Sequence, residues 1–334
     1  MGKLDKQFLN ACEKGNFQEV QKLLTNPQIN PNFESFFLRR TPFFLACENG
    51  HIEVVQLLLN DLRMDINQED LLGRTALFTA CQEGYLEVVE LLLNDLRIEI
   101  NKPDSYNKTP FFIACEKGQI EVVKLLLKDK RVNVNKVERW KGKSPFSNSC
   151  ARGHIEIVKL LLNDERVELN KVDHNIATPF SNTCWNGHIE IVKLLLNDER
   201  IDINKPNKNS DTPFHIACDK GHIKIIEYLL VSGRKINLNS INNNGITAVD
   251  IAKNREKEPK SIWEKEEKYQ TRKKKFIYII ELLESFESNP NETRKKLRTQ
   301  LELDGKIYYF IYFLFIFLLG LKYFNFNFYF FFFF

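Results

Sequence analysis

The seven cysteines of this 334-residue chain stand at Cys12, Cys47, Cys81, Cys115, Cys150, Cys184 and Cys218, so successive intervals are always 34 or 35 residues. The text around them returns too: "ACENGHIEVVQLLLND" from Ala46, "ACQEGYLEVVELLLND" from Ala80, "SCARGHIEIVKLLLND" from Ser149 and "TCWNGHIEIVKLLLND" from Thr183. A fixed period of this length marks one small structural unit copied many times. Such a unit cannot bury its own apolar surface, so the copies must stack into an array.

The same period decides what the cysteines are. Cys47 and His51 stand four apart, an offset that puts two side chains on one face of a helix and would suit a nucleophile with its base, or half of a zinc site. Gly50 lies between them, and a glycine recurs there as Gly15, Gly84, Gly118, Gly153, Gly187 and Gly221. Glycine closes helices in the left-handed conformation, so Cys47 ends one helix and His51 opens the next. Three copies replace the histidine with Asn16, Tyr85 and Gln119. Stacked helices lie about 8–10 Å apart, too far for disulfides between copies. The cysteines are therefore expected to be reduced, buried packing residues.

Six copies open with a hydroxyl residue followed by proline or alanine: Thr41-Pro42, Thr75-Ala76, Thr109-Pro110, Ser144-Pro145, Thr178-Pro179 and Thr212-Pro213. The hydroxyl caps a helix, and proline at its first position gives up an N–H that has no partner there anyway. A short helix runs to the glycine. A second, apolar over most of its surface, follows from residues such as Ile52 to Asn60. Segments such as "RMDINQEDLLGRT" then place turn residues before the next Thr, which predicts a protruding hairpin-like finger.

The pattern T-P-(L/F)-(H/F)-x-A-C-x-x-G-H-x-E-(V/I)-V-x-L-L-L resembles the ankyrin repeat over about residues 6–285. The resemblance implies an all-α solenoid of about eight helix pairs with fingers along one edge, a concave face and protein binding as the usual role. The expected organisation is an N-terminal capping repeat at 1–40, six repeats at 41–246 and a C-terminal capping repeat at 247–285. The last contains a charged insertion at 255–275, either a long exposed helix or a flexible loop. A polar linker at 286–306 and a Phe-rich tail at 307–334 complete the chain. Two fingers depart from the pattern, with Ile176 and Ser210 in place of glycine. A β-branched residue resists positive φ, so the turn at residues 173–176 is expected to be reshaped.

No catalytic constellation emerges, and no metal or cofactor is expected. Lys141-Gly142-Lys143-Ser144 brushes the phosphate-loop pattern, but Val137 stands where that motif needs glycine. The formal net charge of +4 is small for this length, and no nucleic-acid partner is expected. Binding is better supported, because array surfaces recognise partners with the residues that the scaffold leaves free. Copies four and five carry Ser147-Asn148-Ser149 and Ser181-Asn182-Thr183 where the others are apolar, which predicts a polar middle to the concave face. Trp185 replaces a polar residue, Trp140 tips a finger, and Trp and Arg dominate binding hot spots. The candidate partner-binding residues are thus Trp140, Asn148, Arg152, His174, Asn182, Trp185 and Asn186. The bland alternative is that each Trp only covers neighbouring methylenes.

The start "MGKLDKQFLNACEKGN" has no apolar run, and the seven cysteines are an odd number, so a cytoplasmic location is expected. The chain is also expected to be a monomer. The tail from Ile307 leaves three readings open. It is a membrane anchor held by Arg294, Lys295, Lys296 and Arg298 on its cytosolic side, a translated non-coding stretch, or an apolar segment unrelated to membranes.

Overall fold

The computed structural model describes residues 2–302, and the expectations for the tail at 307–334 lie outside them. Seventeen helices and no strands form among the described residues. They come in antiparallel pairs: α1 (Lys3–Glu13) with α2 (Phe17–Leu24), α3 (Pro42–Glu48) with α4 (Ile52–Leu59), and α5 (Ala76–Glu83) with α6 (Leu86–Asn94). Next are α7 (Pro110–Lys117) with α8 (Ile120–Lys128), α9 (Pro145–Arg152) with α10 (Ile155–Leu162), α11 (Pro179–Asn186) with α12 (Ile189–Leu196), and α13 (Pro213–Lys220) with α14 (Ile223–Val231). The chain closes with α15 (Ala248–Lys257), α16 (Glu266–Ser288) and α17 (Pro290–Gln300). First helices touch first helices in chain order from α1 to α15, and second helices do the same from α2 to α14, so each module packs on its neighbours.

Local chemistry sets the helix ends. The hydroxyls of Thr41, Thr75, Thr109, Ser144, Thr178 and Thr212 each accept the backbone N–H three residues on. All seven junction glycines have positive φ. His51, His154, His188 and His222 place Nε2 2.9, 3.0, 3.0 and 3.2 Å from a carbonyl oxygen of the preceding module. Those carbonyls lie at the ends of first helices, where no intrahelical partner exists.

Two further staples join the modules. Asn32, Asn67, Asn101, Asn135, Asn170 and Asn204 each donate Nδ2 to a backbone carbonyl of the next module, at 2.7–2.8 Å. Their Oδ1 atoms accept a backbone N–H from that same module. Arg63, Arg97, Arg131, Arg166 and Arg200 each pair with an Asp two residues earlier and donate to a carbonyl at the end of the preceding second helix. A cation is favourable at a helix C-terminus. The guanidinium hydrogen bonds hold the Asp carboxyls below their usual range.

The core runs the length of the stack, and every cysteine is buried in it as a free thiol. Burial pushes the Cys12 and Cys150 thiols up to about 12, and the other five are raised too. Such thiols stay protonated at neutral pH and are poor nucleophiles.

Three expectations change. The finger at Ile176 is not reshaped, since Ile176 adopts φ 58 and Asp173 Oδ1 accepts the N–H groups of Asn175 and Ala177 at 2.9 and 3.0 Å. Asp70 templates its own finger in the same way, so the Asp-centred turn overrides the residue's preference. Left-handed backbone costs an L-residue about 1–2 kcal/mol, partly offset by the greater chain entropy that glycine loses on folding. Ile176→Gly should therefore raise unfolding stability by about 0.5–1 kcal/mol in a urea titration; a loss would mean that this turn carries no strain.

The charged insertion is split rather than uniform. Its beginning completes α15, its end forms the first turns of α16, and residues 258–265 loop between them. Arg272 fastens that loop by donating to the carbonyls of Arg255, Glu258 and Pro259. Lys275 takes the place of the junction histidine, its Nζ 3.4 Å from the Lys220 carbonyl. The segment read as a polar linker contains α17, which buries Thr293 and Leu297 and packs against α14 and α16. Helix α17 thereby covers the end of the array.

Candidate partner-binding groove

The fingers form the wall of the concave side. Each closes on itself, for example from Asp70 N–H to the Arg74 carbonyl at 2.9 Å, and then hands one hydrogen bond to the next finger. Arg139 N–H meets the Tyr106 carbonyl at 2.8 Å, and His174 N–H meets the Lys141 carbonyl at 2.8 Å. Finger tips therefore form a ladder whose outward side chains line up. Leu72, Tyr106 and Trp140 occupy one tip slot in successive fingers, and Asn175, Asn209 and Asn244 occupy it in the fingers that follow. Tyr106 and Trp140 have ring centroids 6.2 Å apart, so Trp140 ends an apolar edge. The repeat marks Trp140 as a finger tip, and the Leu72 and Tyr106 that precede it in the same slot are legible only when the fingers themselves are aligned.

Two adjoining concavities of about 450 and 460 Å³ follow the fingers, the first over α7 and α9 beside the fourth finger, the second over α11 and α13 beside the fifth and sixth fingers. Trp140, Asn148 and Arg152 border the first, Asn182 and Trp185 the second, and Asn186 both. Six of the seven candidate residues are thus brought together on one surface. His174 is not, because its ring packs over Gly142 and Nδ1 sits 3.2 Å from the Trp140 carbonyl. That contact steadies the finger.

Exposure separates the six. Trp140 and Trp185 are 71% and 52% exposed. Lys220 Nζ stands 3.5 Å from the centroid of the Trp185 ring, a cation–π contact that fixes the indole as the wall between this groove and a further concavity toward α15. Asn186 is exposed and donates to the Asn182 carbonyl at 2.7 Å. Asn182 is half-buried, with Nδ2 3.1 Å from Asp173 Oδ2 and 3.2 Å from Ser147 Oγ. Asn148 is only 8% exposed, on the floor of the groove.

The expected polar concave face is therefore corrected in part. Ser147, Ser149, Ser181 and Thr183 are buried, and Ser149 and Thr183 turn their hydroxyls back to the Pro145 and Pro179 carbonyls at 2.9 Å. Residues with short polar side chains satisfy themselves on their own helix and pack as small core residues.

The groove's charges are unevenly paired. Glu116 holds both Lys108, at 2.6 Å, and Arg152. Burial pushes its carboxyl up, but the two cations outweigh burial and leave it below the ordinary range. Glu138 accepts the backbone N–H groups of Trp140, Lys141 and Lys143 at 2.7, 2.8 and 3.1 Å. Lys143 has no ion pair among the described residues, and burial, then the neighbouring Lys141, lowers its pKa. Among those residues no group of three or more His, Cys, Asp or Glu is placed to hold a metal ion, and no helix is long and apolar enough to cross a membrane.

No curated protein gives a match to this chain. A family model for ankyrin repeats, three copies long, matches residues 8–104, 62–137, 96–176, 146–242 and 180–258. Helix pairs and junction glycines recur through those residues, and hydroxyl-capped first helices recur from Thr41 to Thr247. The chain belongs to the ankyrin repeat family.

Proposed function

We propose that this chain is a non-catalytic, monomeric cytosolic scaffold that holds a partner protein against the concave face and fingers, centred on the stretch from Trp140 to Asn186. One observation carries the reading: two adjoining concavities that share Lys141, Lys143 and Asn186, with the exposed Trp140 bordering one and the exposed Trp185 the other. Indole side chains offer large, rigid contact area at low entropic cost, and they are over-represented among residues that dominate binding energy. Ankyrin repeats are in general protein-interaction modules, so the fold and the groove point the same way.

The test is affinity capture from cells expressing the native partner. Trp140→Ala with Trp185→Ala should weaken capture by about tenfold or more. Both side chains are largely exposed, so the thermal unfolding midpoint should hardly move. A folded double variant that captures the same partner as well as the parent would remove the groove from consideration.

A further inference from the structure

The fourth module departs from its siblings in how it treats one charge. The residue just before the capping Thr or Ser is basic in four successive copies: Arg40, Arg74, Lys108 and Lys143. Three have a carboxylate within the stack: Arg40 meets Glu48 at 2.7 Å, Arg74 meets Asp70 at 2.6 Å and Lys108 meets Glu116 at 2.6 Å. Eight residues beyond Lys143 the chain places Ala151 where Glu48 and Glu116 stand in their own copies. Glu138 and Asp173 favour the charged form of Lys143, but neither comes within ion-pair distance of it among the described residues. Glu138 accepts three backbone N–H groups, Asp173 accepts two and the Asn182 amide, and Glu116 holds Lys108 and Arg152.

Lys143 is thus a half-buried cation without an ion pair among the described residues, and it borders both concavities of the groove. Lys141 borders both as well, and Arg152 borders the first. Asn148, on the floor of the first, keeps Nδ2 buried without a hydrogen-bond partner among the described residues. A charge taken out of water without compensation is costly, and carboxylate is the side-chain group that compensates lysine with both charge and lone pairs.

We infer that the segment bound in this groove is an acidic peptide stretch, and that one of its carboxylates pairs with Lys143 between the two tryptophans. The inference rests on the groove reading above and adds the chemistry of the partner. A peptide fits better than a nucleic acid. A phosphodiester backbone needs a continuous basic track, whereas the concavity beyond Trp185 is bordered by Asp211, Asp219 and Glu258, with Arg255 already paired to the last two.

The experiment selects random short peptides on the immobilised full chain and measures the affinity of the enriched ones. Enriched peptides should share an Asp or Glu at one fixed position. Changing it to Asn or Gln should weaken binding about tenfold, and Lys143→Met should weaken binding by a similar factor, with little further loss when both changes are combined. Lys143→Arg should stay within about threefold of the parent. The peptide substitution needs no protein variant, so a poorly folding Lys143→Met would not spoil the test. Removing an unpaired, half-buried charge should also leave the melting temperature of Lys143→Met no lower than the parent's.

Enriched peptides without a shared carboxylate, or with one that is indifferent to Lys143, would overturn the inference. If those peptides still lost affinity on Trp140→Ala with Trp185→Ala, the groove itself would stand. Indifference to both tryptophans, or no enrichment at all, would fell the groove along with its acidic ligand. Displacement of an enriched peptide by oligothymidylate at lower concentration than by the unlabelled peptide would overturn the choice of a peptide.

Discussion

Phe146→Ala is expected to remove about 3–5 kcal/mol and to break the unfolding of the array into two transitions. Phe146 belongs to a column that runs through the stack as Phe43, Leu77, Phe111, Phe146, Phe180 and Phe214, each at most 3% exposed. Its helix, α9, touches α7 on one side and α11 on the other, so a cavity there weakens two module interfaces at once. Stability in such an array is a sum of modest module terms and interface terms between neighbours. Loss of that size at a central interface uncouples the halves, and each then unfolds at its own midpoint. Urea titration followed by circular dichroism, with hydrogen exchange to assign the halves, reads the outcome. A single transition at the parent midpoint would contradict the nearest-neighbour account of this fold.

Gly153→Ala is the second large effect, at about 2–3 kcal/mol of destabilisation. Gly153 has φ 82, where an L-residue pays about 1–2 kcal/mol. A methyl group there would also stand 2.8 Å from His188 Cε1 and 2.9 Å from its Nδ1. The imidazole cannot retreat freely, because Nε2 is 3.0 Å from the Ala151 carbonyl. Displacing it forfeits a hydrogen bond of about 1 kcal/mol. A double-mutant cycle separates the two contributions. His188→Ala in the Gly153→Ala background should cost less than His188→Ala alone, since the bond is already broken there. Equal costs in both backgrounds would show that the backbone conformation alone demands glycine.

Much of this was legible in the residues. The cysteine interval fixed the module length, the Thr-Pro starts fixed where first helices begin, and the glycines fixed where they end. The tryptophans and Asn186 stood out by comparison between copies, and the structure brings them to one groove. Other features were hidden for identifiable reasons. Asn148 and the hydroxyl residues of the same two helices look like a polar surface when written out, but helix phase turns most of them inward, where Ser149 and Thr183 bond to backbone carbonyls. The recurring Asn that bridges modules was visible as a repeated letter, yet its partners lie 30 or more residues away and only stacking brings them near. Helix α17 is almost uniformly polar in sequence, and two buried side chains were too weak a pattern to announce a packed helix.

The sequence by itself determined the period, the helix pairs, the stacking and the fate of the thiols, because these follow from local propensity and from apolar surface that must be covered. Only the tertiary structure decided which polar residues face the groove, that Ile176 is forced into a left-handed turn, and that Lys143 has no ion pair among the described residues where Arg40, Arg74 and Lys108 each have one. The physical reason is that pairing and exposure depend on neighbours from adjacent modules, whereas the period is written within each one.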